Sequence, residues 1–515
     1  MTESDASEMD AQYPASSEPV ESAAGQVMHG DCIGAEALDV APAAVDSSGS
    51  DQPELSSRGD SHQLTQFLTG NPRTTILFLA LPVLAEQFLN FLVGFVDTIL
   101  SGRISMAATS AIGTAAYVNW LAELIFSLVA TGTTALVARH WGAGQRDAAG
   151  RVASSSLSLA LGMGIIAAGL FYLVAPVFGE FLGLEPGSRA LVVRYLRLSC
   201  VGHAFTSVLL IGSAALRGSG NMRAPMWILG LVSILNVVLS CVLAFGAGPL
   251  PAFGMDGIAV GTVMARFVGF ALMLWILIRG SAGIIAKPGW ASTTDFATIR
   301  RVLRIGIPAA ADSLLMWTGH FLFLRVIAGI GTGELGEAIF AAHIVGIQVE
   351  ALNYLPAWAW GMAAATMIGQ CLGAGRPDRA RLGGHEAMLQ ACVMAIIVMV
   401  MFLCGAEFIY ELMHEDPAVA DVGVPAIRLL ALFEVPLSIV IVYTVGIRGA
   451  GETRMPMIIN AVGIFLIRLP VGYWLGVEMN LGLVGAWGGM GADVTARAIA
   501  VALYFRYGKW DQKGI

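Results

Sequence analysis

Between residues 74 and 507 the chain passes through twelve apolar stretches, each long enough to cross a bilayer. Their limits are 74–100, 110–137, 151–178, 190–215, 224–247, 255–279, 302–330, 338–369, 384–409, 422–447, 455–477 and 482–507. In hydrocarbon every backbone N–H and C=O needs an internal partner, so each stretch is predicted helical. A membrane β-barrel would need ~10-residue segments of alternating polarity, and the sequence has none. Only 13% of the residues are charged and 56% are hydrophobic, against about 25% charged in soluble domains. The expected fold is an all-α integral membrane protein with twelve transmembrane helices.

The charges divide the chain in two. Residues 1–64 hold thirteen acids and one base, and the remaining chain carries a small positive excess. Residues 1–70 are rich in Ser, Ala, Pro and Gly and too poor in apolar anchors to fold, so they read as a disordered acidic tail. The tail has no basic region leading into an apolar run, so it is not a secretory signal. Alternate loops and the C-terminal tail together carry eighteen bases, among them Arg139, Arg146, Arg217, Arg376 and Arg448, while the opposite loops carry Arg103, Arg189 and Arg194. Positive loops mark the cytoplasmic side, so both termini are expected there, in a plasma (inner) membrane. The six cysteines form no CxxC pair and read as small buried hydrophobes.

The sequence is also internally duplicated. Leu216-Arg217-Gly218-Ser219-Gly220 and Arg223-Ala224-Pro225-Met226 return 231 positions later as Ile447-Arg448-Gly449-Ala450-Gly451 and Arg454-Met455-Pro456-Met457. Gly142-Ala143-Gly144 returns as Gly373-Ala374-Gly375, Arg197 as Arg428 and Arg266 as Arg497 at the same offset, and Pro82 as Pro308 at an offset of 226. Six helices per half keep both halves in one orientation. The prediction is two six-helix bundles, 71–280 and 302–508, related by a pseudo-two-fold axis along the membrane normal with a cavity between them. A cytoplasmic linker, 281–301, joins them, and 509–515 form a cytoplasmic C-terminus.

Ionisable groups at membrane depth are costly, so each needs a partner or a function. The acids there are Glu86, Asp97, Glu123, Asp312, Glu350, Glu434 and Asp493, and His203 occupies the repeat position of Glu434. A carboxylate in a low-dielectric site has a raised pKa unless a cation compensates it. Asp97 could therefore trade a proton, a sodium ion or a cationic substrate, which is the minimal chemistry of an antiporter. Glu86 and Asp312 stand four residues after the paired prolines, Glu123 and Glu350 in the second helix of each half, and His203 reads as a structural residue or a proton relay. Arg197, Arg266, Arg325, Arg428, Arg468 and Arg497 either snorkel to the cytoplasmic face or neutralise these acids. Tyr117, Trp120, Trp317, Tyr354, Trp358 and Trp360 form either an aromatic belt or a pocket for aromatic cations. HExxH, GxSxG and GxxxxGK[ST] are absent, so no enzyme activity, catalytic residue or metal site is expected. The loop bases need no nucleic acid to explain them.

Leu81-Pro82, Glu86-Gln87 and Val96-Asp97-Thr98-Ile99-Leu100-Ser101-Gly102, with the Gly-Ala-Gly loops and the paired Arg-Gly-x-Gly segments, resemble the multidrug and toxic compound extrusion (MATE) family over residues 71–508. The resemblance implies an alternating-access antiporter that exports organic cations or other small amphipathic compounds in exchange for H⁺ or Na⁺. It implies no cofactor beyond that ion, and the expected partners are substrate, coupling cation and lipid bilayer, with the protein a monomer. It also implies that Asp97 joins Asn236 and Thr262 in a cation site. Many members carry an Asp where this chain has Ser240, which keeps an oxygen, loses the charge, and tilts the expectation towards protons. The family's other acids, on helices 7, 8 and 10, fall near Met316, Glu350 and Glu434, with Met316 breaking the match. The alternatives are a flippase for a lipid-linked precursor, or a membrane-anchored scaffold built around the acidic tail.

Overall fold

The computed structural model describes residues 69–102, 104, 106–181, 186–246, 251–280, 283–285 and 295–512. Residues 1–68 of the acidic tail, most of the linker, and the side chains of Tyr117 and Trp120 lie outside the described residues.

The described chain is helical throughout. In order it forms α1 Pro72–Gly102, α2 Met106–Gly142, α3 Arg146–Phe181, α4 Pro186–Cys200, α5 Gly202–Gly218, α6 Arg223–Phe245, α7 Met255–Arg279, α8 Phe296–Ile327, α9 Gly333–Gly373, α10 Pro377–Met413, α11 Pro417–Ala431, α12 Glu434–Gly449, α13 Arg454–Val462, α14 Leu469–Tyr473 and α15 Gly482–Tyr507. Among the described residues eight helices are long and apolar enough to cross a membrane, or up to ten if each bent pair is one span. The protein is a multi-pass membrane protein. The long helices α8 and α15 fall outside that set. Asp312 on α8 and Asp493 and Arg497 on α15 explain why: each is buried in an ion pair that hydropathy does not see.

Two expected single spans are bent. Stretch 190–215 breaks at Val201, with α4 and α5 at 46°, and stretch 422–447 breaks before Glu434, with α11 and α12 at 55°. The breaks are repeat-related, and each places an ionisable residue, His203 or Glu434, in the first turn after the bend. The span 454–478 holds two widened π-helical segments, Gly463–Arg468 and Trp474–Glu478. Such segments re-aim side chains and often mark functional regions.

The first helix of each half leans on the other half. Ile76, Leu79, Ala80 and Val83 of α1 are buried among second-half residues such as Ala363, Met367 and Phe505, while Val302 and Ile305 of α8 are buried among first-half residues. Arg379 donates to the Gly70 carbonyl at 2.6 Å, Gln390 donates to the Arg73 carbonyl at 2.9 Å, and the Asp295 N–H donates to Ser155 Oγ at 3.3 Å. Thr366 Oγ1 and Gln370 Nε2 donate to the carbonyls of Arg217 and Gly218 at 3.1 and 2.9 Å. These cross-half bonds gather at the end that carries the basic loops.

The duplicated glycines make that junction possible. A Cβ on Gly142 would strike the backbone of Gln370, and one on Gly373 would strike the backbone of Arg139, so α2 and α9 meet there backbone to backbone. Gly144 and Gly375, at φ +74° and +69°, make the turns that follow, in a region that L side chains disfavour.

Candidate functional site

Two repeat-related ion pairs pin each half. Glu86 of α1 accepts from Arg217 Nη1 at 2.7 Å, and both are buried. Asp312 of α8 accepts from Arg448 and also from Asn460 Nδ2, at 3.0 and 3.1 Å to its two oxygens. Each arginine ends the helix that precedes an Arg-Gly-x-Gly turn. Glu86 and Asp312 are thus held as counter-charges to fixed guanidiniums.

The α6–α7 face brings three of the expected first-half residues together. Asn236 Nδ2 donates to Thr262 Oγ1 at 2.8 Å, Thr262 Oγ1 donates to the Ile258 carbonyl at 2.9 Å, and fully buried Ser240 lies 3.5 Å from the same carbonyl. The Asn236 Oδ1 is buried and accepts no hydrogen bond. Asp97 is not hydrogen-bonded to this trio among the described residues, and its Oδ1 is likewise buried without a partner. Its charged neighbour is Arg266, one helical turn after Thr262 on α7, and the Tyr195 phenol is within its electrostatic reach. Arg266 also acts on Glu123 and His203. One guanidinium therefore serves Asp97 and Glu123 together.

His203 is buried against the rings of Phe171 and Phe126, at centroid distances of 5.3 and 6.4 Å. Glu123 keeps an exposed side chain although protein surrounds it densely. Tyr354 of α9 shows the same combination, and Glu350 one turn before it is partly exposed.

The second half holds a longer polar chain. Asp493 accepts from Arg468 Nε at 2.9 Å and from Arg497 Nε and Nη2 at 2.8 and 2.7 Å. Arg497 Nη1 donates to Asn460 Oδ1 at 3.2 Å, which links this clamp to Asp312 through the Asn460 amide. Arg468 also lies 3.3 Å from His320 Nδ1. Glu350 stands within electrostatic reach of Arg468 and Arg497, and of Glu434. Glu434 is fully buried, and neither carboxyl oxygen makes a well-formed hydrogen bond. Asn353 beside it donates to the Glu434 main-chain oxygen at 3.0 Å and accepts from Ser438 at 3.1 Å.

Among the described residues, and leaving aside Arg197, Arg325 and Arg428 in the last turns of α4, α8 and α11, three first-half carboxyls (Glu86, Asp97, Glu123) stand with two guanidiniums (Arg217, Arg266). Four second-half carboxyls (Asp312, Glu350, Glu434, Asp493) stand with three (Arg448, Arg468, Arg497). Each of these sets has one carboxyl beyond its guanidiniums. One proton or one monovalent cation would neutralise each set, and a buried site strongly favours neutrality.

The aromatic group divides. Trp360 is buried in the core and donates to Gln390 at 2.9 Å, so it is not a pocket wall. Tyr354 and Trp358 stack at 6.0 Å, and Trp317 remains half exposed.

The sequence did not single out Asn460, Asn353, Tyr195 or His320. Arg497 four residues after Asp493 on one helix face was a readable signal. Asn460 and Asn353 had none, because their partners lie 148 and 81 positions away.

The family model described as MatE matches residues 82–242 and 308–474. A probable multidrug resistance protein NorM from Thermotoga maritima is 30% identical over 447 residues, covering 86% of this chain and 94% of that protein. The multidrug resistance protein PmpM from Pseudomonas aeruginosa is 28% identical over 441 residues, covering 83% and 90%. A MOP superfamily transporter from Pyrococcus furiosus superposes with a TM-score of 0.80 at 21% identity, covering 87% of this chain and 99% of its own. A crystal structure of MATE in the straight conformation superposes at 0.78 and 22%, covering 86% and 97%. At these identities the superpositions establish a shared fold.

Proposed function

The chain belongs to the MatE family, and on that premise we propose that it is a secondary active antiporter exporting organic cations or other small amphipathic compounds in exchange for protons. The names of its relatives, multidrug resistance proteins, favour export over the flippase and the scaffold. The mixed intramembrane charges point the same way, since a pyrophosphate-carrying lipid would want a cationic cleft. The twelve stretches are read as twelve spans in two bundles in the inner membrane, with both termini cytoplasmic. The duplicated backbone junction at the basic-loop end supports that plan. No cofactor is needed beyond the coupling ion.

The observation that carries this reading is the Asp97 carboxyl, buried with an unpartnered oxygen, facing one guanidinium that it shares with Glu123. When Asp97 is ionised, Arg266 has two carboxylates to balance and the site attracts a cation. When Asp97 is protonated, the site is neutral and holds nothing. Asn236 Oδ1, Thr262 and Ser240 supply neutral oxygens nearby on α6 and α7. That is too little charge to repay dehydration of Na⁺, which is why H⁺ is proposed. Cationic substrate would be drawn by the same excess carboxyls, with Glu123, Glu350 and Tyr354 on the cleft wall.

The test is ethidium flux in proteoliposomes under separately imposed H⁺ and Na⁺ gradients. A proton gradient alone should drive transport, and a sodium gradient alone should drive at most a tenth of that rate. Flux indifferent to both gradients would contradict antiport.

A further inference from the structure

One stripe of α4 is arginine-rich on the wrong side of the membrane. Arg189, Val193, Arg194, Arg197 and Val201 share a face of the helix, and with Tyr172 of α3 they line an open groove of about 830 Å³. The groove lies at the end of the molecule opposite the basic loops, since α3 runs from Arg146 at that end to Phe181 at this one. The sequence places only three bases in the loops and helix starts on this side, and Arg189 and Arg194 are two of them.

The arginines are graded in depth. Eight residues separate Arg189 from Arg197, about 12 Å of helix rise. The headgroup zone of one leaflet is only about 5–8 Å thick, so Arg197 reaches the upper acyl region if Arg189 sits among the headgroups. Its guanidinium lies 4.9 Å over the Tyr172 ring, and among the described residues no carboxylate pairs with it. Arg194 is tied to Asp256 of α7 at 2.5 Å. Around them Val201, Tyr172 and Leu173 expose large apolar surfaces of 54%, 48% and 74%. A guanidinium at that depth is costly without a counter-anion.

We propose that this groove binds an anionic glycerophospholipid of the outer leaflet. The phosphodiester would lie between Arg189 and Arg197, and the acyl chains over Val193, Leu198 and Val201. Two arginines about 12 Å apart in helix rise, whose long side chains can converge on one phosphate and which have apolar residues between and below them, match a phosphate that carries hydrocarbon. They do not match a free ion, which would gain nothing from the lower half of the groove.

The test uses the purified full chain in detergent, titrated with phosphatidylglycerol, phosphatidylcholine or glycerol 1-phosphate, and read by thermal shift and by native mass spectrometry. Phosphatidylglycerol should raise Tm and remain bound, with an apparent affinity at least fivefold above that of phosphatidylcholine. Arg189→Gln and Arg197→Gln should each remove most of that selectivity, and Arg197→Lys should restore part of it. Arg189→Gln alters only the rim of the groove and so decides the matter should Arg197→Gln fail to fold. Equal effects of the two lipids, or full selectivity in Arg189→Gln, would overturn the proposal. A response to glycerol 1-phosphate as strong as that to the lipid would also overturn it, by assigning the groove to a soluble phosphate.

Discussion

At positions 262 and 266 the first repeat holds Thr and Arg, and at 493 and 497 the second holds Asp and Arg. In the second repeat the Asp is closed: Arg468 and Arg497 donate three hydrogen bonds to it, and nothing is left for a cation. In the first repeat Arg266 faces no acid on its own helix turn and is left to Asp97 and Glu123 on other helices. At the second-repeat counterpart of Asp97, using the Pro82-to-Pro308 offset, stands Phe323, whose ring lies under Arg468. The same helix framework thus carries a locked charge cluster on one side and an incomplete one on the other. Exchange chemistry needs the incomplete one, because a carboxylate already clamped by two guanidiniums gains little by taking a proton.

The largest expected effect breaks the locked side. Asp493→Asn leaves Arg468 and Arg497 buried without their counter-charge, a defect worth about 3–5 kcal/mol. The protein should lose most of its folded yield, as size-exclusion recovery after membrane extraction would show. Glu86→Gln and Asp312→Asn should follow at similar or slightly smaller cost, since each strands one arginine. Folded, normally abundant Asp493→Asn would mean that the second cluster is not locked.

The next effects sharpen the contrast, first at a second-half carboxyl that stands outside the clamp. Glu434→Gln removes a buried carboxyl that has no well-formed hydrogen bond. It should therefore leave stability within about 1 kcal/mol of wild type or raise it, measured by thermal unfolding in detergent. A fall as large as that of Asp493→Asn would show that Glu434 is a counter-charge. Ser240→Asp adds the second carboxyl that the first half lacks. The ratio of sodium-driven to proton-driven flux should rise several-fold, and an unchanged ratio would remove Ser240 as the reason for proton preference.

The smallest effect lies outside the membrane. Asp295 caps α8, accepting from Thr298 Oγ1 at 2.7 Å and from the backbone of Ala297 at 2.9 Å, which holds its carboxyl below its ordinary pKa. A depressed folded pKa means that the stabilisation is present above the unfolded value of about 4 and is lost as pH falls through the folded value. The Tm difference between wild type and Asp295→Ala should be small, constant from pH 7 to 5, and shrink only below about pH 4. A difference that grew on acidification would reverse the sign of this argument.

Hydropathy marked the helical, multi-pass character of the chain, and the 231-residue offset exposed the duplication, because both can be read directly along the sequence. The bends before Gly202 and Glu434 were not legible, since each occurs inside a long apolar stretch. The widened turns at Gly463–Arg468 were hidden for the same reason. In the site, Asp97 stood out as a carboxylate in an apolar run, while Asn236 and Thr262 were reached only through the family resemblance. Which acids would be locked was not legible, because Asp312 meets Asn460 only through tertiary structure.

The account rests most directly on Asp97. Export of ethidium under an imposed proton gradient should be measured for wild type and Asp97→Asn at matched amounts in proteoliposomes. The asparagine keeps the shape and loses the titratable charge, so the account predicts normal folding, retained substrate binding, and flux reduced to the rate seen without a gradient. Asp97→Asn that exports at the wild-type rate would contradict it.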